Sequence, residues 1–194
     1  MKRIFDIFFS FTGIIILSPV FIIISFLIII DSRGGIFYRQ IRVGKNNIDF
    51  KLYKFRSMKP GSSKAGLLTV GGKDSRISRV GYFLRKYKLD ELPQLFNILK
   101  GDMSIVGPRP EVRKYVELYN ENQKKVLKVK PGLTDYASLK FINENEILGK
   151  AENPEKLYIE EIMPAKLKLN LKYISEKGLI TDLKIILKTI KRIL

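Results

Sequence analysis

The amino-acid sequence predicts a mostly α-helical protein with a short β-hairpin, built as an N-terminal membrane segment and one small basic domain. Three observations lead to this prediction. The run from Ile7 to Ile30 contains no charged residue, apolar residues recur at helical spacing in several later segments, and strand-like alternation is concentrated directly after the apolar run. We therefore expect a membrane segment at 1–32 and a single globular domain at 33–194.

The composition limits the chemistry available to this domain. Lys and Arg number 36 against 19 Asp and Glu, a formal charge of +17, so the protein is expected to face phospholipid headgroups, nucleotide phosphates or nucleic acid. The chain has no cysteine and no histidine. Disulfides and thiolate metal sites are therefore excluded, and any catalysis must use carboxylates, Lys, Arg, Tyr or hydroxyl groups.

The apolar run is long enough to cross a bilayer, but its middle favours a break. At about 1.5 Å per residue, a continuous helix of this length spans a hydrocarbon core of roughly 30 Å. Ser18 and Pro19 lie near its middle, where proline bends or breaks a helix and serine can satisfy a freed carbonyl. The length of the run and the lack of a small-x-small pattern after it disfavour a cleaved signal peptide.

The flanks of the apolar run point to a second topology. Physics alone favours a kinked spanning helix, because most prolines in such runs are simple kinks. Basic residues on both sides are instead typical of a re-entrant hairpin whose two ends stay on the cytoplasmic side. The flanking basic residues are Lys2, Arg3, Arg33, Arg39, Arg42 and Lys45.

The next segments predict a β-hairpin and a loop. Residues 36–42 and 48–55 flank the turn-forming sequence Gly44-Lys45-Asn46-Asn47, and residues in the second segment alternate between apolar and charged. Residues 59–75 are rich in Gly, Ser and Lys, which predicts a mobile surface loop. This loop is either a substrate lid or an inert connection.

Helices are predicted over much of the remaining chain. The strongest covers 90–100, whose apolar residues share one face and which Gly101 terminates. Pro93 is tolerated only in a first turn, and this places the helix start near Asp90. Further helices are expected over 77–87, 111–128 and 183–194, with a turn at 130–132.

Two C-terminal segments allow alternative interpretations. Residues 166–173 alternate basic and apolar side chains at period two, so pattern alone permits a strand. The helix over 183–194 has apolar residues on one side and basic residues on the other, which suits an anionic membrane interface. A terminal helix that caps the core is the alternative.

Asp90 and Glu91 are the candidate catalytic residues. At a helix N-terminus, unpaired N–H groups favour an ionised carboxylate and attract phosphate. Asp90 could then attack a phosphoryl group and form an acyl phosphate, which divides one difficult transfer into two easier ones. Glu91 could hold Mg²⁺, whose charge offsets repulsion between the carboxylate and a diphosphate. An ordinary aspartate N-cap followed by a first-turn glutamate is the alternative.

Arg109 is the first candidate for phosphate binding. Pro108 and Pro110 restrict the backbone around it to extended conformations, so a planar, permanently charged guanidinium is held on a stiff support. Arg56 and Arg85 are further candidates, although in so basic a chain either could be a solvated surface charge.

Several ordered motifs together resemble one protein family. The segments KRIFDI, LSP, YKFRSM, LRKYKLDELPQLFNILKGDMSIVGPRP and KPGLT are similar to those of the monotopic polyprenyl-phosphate phosphoglycosyl transferases. These bacterial sugar transferases begin the assembly of membrane-linked glycans. The resemblance covers nearly the whole chain and is most specific over 84–110.

The resemblance implies a ping-pong reaction. Asp90 would attack the β-phosphorus of a UDP-sugar, UMP would depart, and undecaprenyl phosphate would take the phosphosugar from the enzyme. Glu91 would be associated with Mg²⁺ and Arg109 with phosphate.

The resemblance also implies a place for the protein at the bacterial cytoplasmic membrane. The break at Ser18 and Pro19 would make the membrane helix re-entrant, which reverses the interpretation from physics alone. The mostly helical catalytic domain would rest on anionic lipids of the cytoplasmic leaflet, with amphipathic helices at the interface, and 166–173 would be helical.

The chain departs from better known family members at three places. Arg56 stands where lysine is frequent, 135–141 replaces a different segment after the KPGLT motif, and Asn170 stands where relatives can carry aspartate. An altered preference for the sugar is the hypothesis attached to 135–141. The roles of Asp135 and Asn170, the sugar, the glycan pathway and the formation of a homodimer are left open by the sequence.

Two other functions compete with this interpretation. A membrane-tethered nucleic-acid binder would account for the charge, but the sequence contains no RNP-like, zinc-finger or helix-turn-helix signature, so no nucleic-acid partner is expected. A non-catalytic membrane scaffold is the second alternative, and it would tolerate the loss of the Asp90 carboxylate.

Overall fold

The computed structural model describes residues 2–62 and 74–193 of the chain. This part is mostly helical with small two-stranded sheets, as the sequence predicts. Residues 63–73 of the predicted loop lie outside the described residues. The helices are α1 (Lys2–Ile16), α2 (Ser18–Asp31), α3 (Arg79–Lys86), α4 (Gln94–Lys100), α5 (Arg113–Val116), α6 (Tyr136–Lys140), α7 (Glu144–Gly149), α8 (Pro154–Leu157), α9 (Met163–Glu176) and α10 (Leu179–Ile193).

Within residues 2–62 and 74–193, four short strands form two separate sheets. β1 (Phe37–Val43) and β2 (Asp49–Phe55) pair antiparallel, which confirms the predicted hairpin. β3 (Ser104–Val106) and β4 (Gly132–Thr134) pair in parallel. The sequence did not predict this second pair, and the expected turn at 130–132 leads directly into β4.

The first two helices form a pair that bends at the predicted break. α2 begins at Ser18, and Pro19 lies in its first turn. The Ser18 hydroxyl donates to the carbonyl oxygen of Ile15 at 2.8 Å, which is the acceptor that proline leaves without its helical partner. No described helix has by itself the length and hydropathy of a membrane span, whereas α1 and α2 reach both together, with a bend of 61° between them.

The start of α1 is bound to the globular body. Arg3 donates to the carbonyl oxygens of Ile98 and Leu99, at 2.5 and 2.9 Å, in the last turn of α4. The buried carboxylate of Asp6 accepts hydrogen bonds from the Ser104 hydroxyl and from a backbone N–H of β3, both at 3.0 Å. These contacts fix the N-terminal end of α1 against β3 and α4.

The end of α2 is bound to the same body. Arg56, which follows β2, donates to the carbonyl oxygens of Ser32 at 2.7 Å and Arg33 at 3.1 Å. Asp31 accepts from the backbone N–H of Val80 at 3.1 Å. Both ends of the helix pair therefore lie against one domain, with the bend between them.

The helix predicted over 90–100 begins later than expected. Leu89–Glu91 forms a 3₁₀ turn, and α4 starts only at Gln94. Lys88, at φ 56°, has a left-handed backbone, and Pro93 offers no N–H to an earlier carbonyl, so the α-helical pattern starts after it. Asp90 and Glu91 consequently lie before α4 and outside its first turn.

The prediction of one continuous helix over 111–128 is wrong. Only α5 and a 3₁₀ segment, Gln123–Lys128, are helical there. Between them, Asn120 and Gln123 exchange side-chain to backbone hydrogen bonds of 2.9 Å in both directions. Such local bonds offer the backbone an alternative to a continuous helix.

The two C-terminal segments are both helical. Residues 166–173 lie within α9, where Leu167, Asn170 and Tyr173 are buried at three-residue spacing, so the strand permitted by the alternating pattern does not form. α10 caps the core with Ile185 and also leaves several apolar side chains exposed. These exposed side chains are Ile180, Leu183, Leu187 and Ile190.

We predict that Gly132→Ala destabilises the fold by about 2 kcal/mol or more, because a close approach between β3 and β4 leaves no room for a side chain. A Cβ at Gly132 would lie 2.1 Å from the backbone nitrogen of Gly107 and 2.4 Å from its oxygen. Thermal unfolding of purified protein measures the change.

Gly178→Ala is the matched control, since a Cβ there would meet nothing within 4 Å. Its midpoint should stay close to that of the parent protein. Equal midpoints for the two variants would contradict the proposed close approach.

Candidate active site

The predicted catalytic pair opens onto the main cavity of the described structure. The cavity has a volume of about 480 Å³ and lies between the 3₁₀ turn at 89–91, the loop that follows β3, and helices α6, α9 and α10. The charged side chains that line it around this pair include Lys54, Arg85 and Arg109.

Asp90 is a buried carboxylate that is not paired with any side chain the structure describes. It is 5% exposed and makes no hydrogen bond or ion pair with any other described residue. Burial raises the pKa of Asp90, the neighbouring Glu91 raises it further, and the positive charges of Lys54, Arg85 and Lys88 oppose the shift. The pKa of Asp90 is therefore raised, where the sequence led us to expect a group favoured in its ionised form, because the effect of burial exceeds that of the positive charges.

Glu91 has the opposite environment. Arg109 binds its carboxylate with both terminal nitrogens, one of them at 2.9 Å from Oε2, and the Lys54 ammonium donates to Oε1 at 3.0 Å. Burial alone would raise the pKa of Glu91, but the charges of Arg109 and Lys54 hold it well below its usual range. Glu91 is thus an ionised group whose charge is balanced by two cations.

Lys54 is a site residue that sequence reasoning missed. It lies on β2, is largely shielded from solvent, and burial lowers its pKa while Glu91 opposes that shift. The sequence feature that could have indicated Lys54 as a site residue was its place in the YKFRSM motif, two residues before the candidate Arg56. A strand places alternate residues on one face, but nothing local indicates which face meets a residue far along the chain.

The loop carrying Arg109 is held by Asp135. The fully buried Asp135 accepts from the backbone N–H of Arg109 at 3.2 Å and, through its other oxygen, from the N–H of Ser138 at 2.6 Å. The second bond makes Asp135 the N-cap of α6. Asp135, whose role the sequence left open, therefore ties the arginine loop to the helix that follows β4.

The remaining predicted residues lie in different places. Arg85, on α3, lines the cavity together with the catalytic pair. Arg56 is not among the residues lining the cavity, and its guanidinium binds the carbonyls at the end of α2. Ser18 and Pro19 form the helix break described above. Four of the predicted residues therefore line one cavity: Asp90, Glu91, Arg85 and Arg109. Arg56 lies outside it and caps the end of α2.

The carboxylates fit a magnesium ion that is shared with a phosphate ligand. Among residues 2–62 and 74–193, no cluster of three or more metal-ligating side chains occurs. Mg²⁺ in phosphoryl-transfer sites is commonly held by one or two carboxylates together with substrate phosphates. Asp90 and Glu91 match that requirement, although a metal bound to Glu91 would replace part of its contact with Arg109 or Lys54.

The arrangement can carry out phosphoryl chemistry. An unpaired carboxylate facing a cavity is available as a nucleophile once it is ionised. A guanidinium beside it matches the geometry of phosphate oxygens, and the surrounding cations can stabilise charge that develops on a phosphoryl group.

Comparisons with known proteins agree with this chemistry. A family model described as "Bacterial sugar transferase" matches residues 1–194. The chain is 36% identical over its whole length to a UDP-N-acetylgalactosamine-undecaprenyl-phosphate N-acetylgalactosaminephosphotransferase of Aeromonas hydrophila. It is 35% identical over 97% of its length to a UDP-glucose:undecaprenyl-phosphate glucose-1-phosphate transferase of Klebsiella pneumoniae.

A third relative matches more strongly over a shorter region. Over 61% of the chain the identity is 46% to a Bacillus subtilis (strain 168) protein that is named provisionally as an undecaprenyl-phosphate N-acetylgalactosaminyl 1-phosphate transferase. The matched regions cover 66% of this relative, 44% of the Aeromonas protein and 39% of the Klebsiella protein. The chain therefore spans less than two thirds of the length of each, but the family model covers all of it, and the chain belongs to the bacterial sugar transferase family.

Proposed function

We propose that this protein transfers a phosphosugar from a UDP-sugar to undecaprenyl phosphate, releasing UMP, through a covalent intermediate on Asp90. The observation that carries the proposal is the buried, unpartnered carboxylate of Asp90, which opens onto the cavity beside Glu91 and Arg109. The names of the relatives support the same acceptor. The reaction would begin the assembly of a membrane-linked glycan.

In the first step, an oxygen of the Asp90 carboxylate forms a bond to the β-phosphorus of the UDP-sugar. The bond from that phosphorus to the oxygen bridging the two phosphates breaks, and UMP leaves with the electron pair. Arg109 binds the phosphate oxygens that gain charge, and Arg85, which also lines the cavity, adds positive charge. Asp90 then carries the sugar phosphate as an acyl phosphate.

In the second step, a phosphate oxygen of undecaprenyl phosphate attacks the same phosphorus. The bond between phosphorus and Asp90 breaks, which regenerates the carboxylate and gives undecaprenyl-diphosphate-sugar. Mg²⁺, held by Glu91 together with the substrate phosphates, would supply further positive charge when it is bound. Glu91 is held in its anionic form by Arg109 and Lys54, and a metal bound to it would replace part of these contacts.

The helix pair of α1 and α2 supports a place at the cytoplasmic membrane. Large apolar side chains on both helices are exposed in the structure, and both ends of the pair bind the same domain, as expected if the pair enters and leaves a bilayer on one side. The cationic exterior suits anionic lipids. The exposed side chains include Phe8, Phe11, Ile16, Ile22, Phe26 and Ile30.

We predict that Asp90→Asn and Asp90→Ala each lower UMP release by at least about 1,000-fold, because neither side chain can form the acyl phosphate. The assay uses purified protein, Mg²⁺, undecaprenyl phosphate and a panel of UDP-sugars. Intact-mass analysis without acceptor should show a sugar-phosphate adduct on the parent protein only.

Glu152→Gln is a control, since Glu152 is exposed and distant in sequence from the site. It should retain both turnover and adduct. Normal turnover by the Asp90→Ala variant would exclude the covalent mechanism.

A second prediction concerns pH. Asp90 must be ionised to attack, so the rate falls as the pH drops through the pKa of this carboxyl group. The Lys54 ammonium lowers that pKa. Lys54→Met should therefore raise it and move the acid limb of the rate profile to higher pH, by about one unit.

Lys54→Arg should keep the acid limb near its original position, because the charge is retained. Lys51→Met removes an exposed lysine of the same strand and should leave the profile unchanged. An acid limb that stays in place in Lys54→Met would refute the electrostatic role assigned to Lys54.

The topology can be tested because the chain lacks cysteine, so single introduced cysteines report unambiguously. A cysteine in a tag before residue 1 and Gly178→Cys should both be protected from an impermeant maleimide in intact cells and react after lysis. Pro19→Ala should increase external labelling of the N-terminal tag, because a continuous helix of that length can cross the bilayer.

Pro154→Ala, a change at the first position of α8, is the matched proline control and should not alter labelling. External labelling of the N-terminal tag in the parent protein would establish a spanning helix.

A further inference from the structure

We propose that Asn170 and Ser138 recognise the sugar of the UDP-sugar and select sugars without a net charge. This inference rests on the proposed function and adds to it a substrate class and two specificity-determining residues. It starts from polar side chains of the cavity that the mechanism above does not use.

Asn170 is a buried amide without a partner. It is 5% exposed, and its Oδ1 atom is fully enclosed with no hydrogen bond to any described residue. Buried amide groups are nearly always hydrogen-bonded in folded proteins, because an unpaired one loses its contacts with water and gains nothing in return. An unpaired amide in a cavity wall therefore indicates a group that a ligand satisfies.

Ser138 has the same property on a neighbouring element. Its Oγ atom is buried and unpaired within the described part of the chain, while its backbone N–H is fixed by Asp135 at 2.6 Å. The hydroxyl is thus held at the first turn of α6 with free donor and acceptor capacity. Asn170 and Ser138 line the same cavity as Asp90.

Both residues are connected to the loop that carries Arg109. Asn170 and Arg109 border both the main cavity and a smaller void next to it. Asp135 binds the backbone of Arg109 with one oxygen and that of Ser138 with the other. The sugar is joined through its anomeric oxygen to the phosphorus that Asp90 attacks, so a sugar in this cavity lies directly beyond the phosphate that Arg109 binds.

The charges nearby favour a neutral sugar. The cavity wall contains two ion pairs, and the charges within each pair cancel. These are Lys166 with Glu144 at 2.9 Å and Arg42 with Glu111 at 3.0 Å. The amide and the hydroxyl can bind hydroxyl or acetamido groups but cannot balance a carboxylate or an ammonium.

The other cations of the cavity act elsewhere. Arg85 and Lys88 act on the Asp90 carboxyl group, whose pKa both lower, and Arg192 is exposed on α10. A uronic acid or an amino sugar would therefore bring an uncompensated charge to the part of the wall formed by Asn170 and Ser138.

Binding measurements in an Asp90→Asn background test the inference without turnover. Calorimetry with UDP, UDP-glucose, UDP-N-acetylgalactosamine and UDP-glucuronic acid gives the affinity contributed by each sugar. Asn170→Ala should weaken binding of the preferred neutral UDP-sugar about tenfold and leave UDP unchanged. Ser138→Ala should act in the same direction by a smaller factor, and UDP-glucuronic acid should bind more weakly than the neutral sugars.

Two further measurements separate recognition from a structural role. Asn170→Leu removes the unpaired amide at similar volume, so its thermal midpoint should equal or exceed that of the parent if the amide serves a ligand. Asn122→Ala, a change at an exposed asparagine outside the cavity, should alter neither affinity nor midpoint.

Each outcome has a distinct meaning when UMP release by the wild-type protein is followed in parallel. If the wild-type protein is active and Asn170→Ala leaves the ratio of UDP-sugar affinity to UDP affinity unchanged, only this inference is overturned. Equal weakening of UDP and UDP-sugar would assign Asn170 to the phosphates or to the fold and would also overturn it. Failure of the wild-type protein to release UMP from any UDP-sugar would overturn the proposed function and this inference with it.

Discussion

The ion pairs of Glu91 with Arg109 and Lys54 are the interaction on which the site depends. They join three segments that are far apart in the sequence: the 3₁₀ turn at 89–91, the proline-flanked loop after β3, and strand β2. Removing one partner of a buried pair leaves an uncompensated charge and commonly costs about 3–5 kcal/mol. Because Arg109 and Lys54 are both bound to Glu91, neither forms an ion pair with the neighbouring Asp90.

Two adjacent carboxylates thus acquire different properties from their surroundings. Glu91 points to the cations, and its pKa is held low. Asp90 faces the cavity, and burial raises its pKa. Pairs of titratable groups whose environments separate their pKa values are typical of sites in which each group has its own role. Here the anionic member is suited to bind cations and the unpartnered member to attack phosphorus.

Local patterns predicted much of the fold, whereas long-range contacts escaped them. The hairpin, the helix after Ser78 and the C-terminal helix follow from periodicity and turn residues, which act over a few positions. The parallel pairing of β3 with β4 is absent from any local pattern, because it depends on the mutual approach of Gly107 and Gly132. Lys54 and Asp135 were missed as site residues for the same reason, since their partners lie 37 and 26 positions away.

The sequence predicted Asp90 and Glu91 as the candidate catalytic pair, but it did not predict their electrostatics. A carboxylate before an amphipathic helix is a common N-cap, and that pattern led to the expectation of an ionised Asp90. The left-handed backbone of Lys88 and the ring of Pro93 separate the pair from α4. Helix propensity and residue spacing do not reveal this backbone geometry. The direction of the Asp90 pKa shift depends on the buried position that the geometry gives to the carboxylate.

The helix pair and the catalytic pair are mechanically connected. Arg3 binds the last turn of α4, and α4 begins at Gln94, three residues after Glu91. Arg56 holds the end of α2 at the end of strand β2, two residues after Lys54. A shift of either end of the helix pair would therefore move one of the elements that position Glu91. If α1 and α2 enter a bilayer as proposed, the depth of insertion sets the height of Asp90 above the lipid, and a substrate with a polyprenyl tail meets the nucleophile at that fixed height.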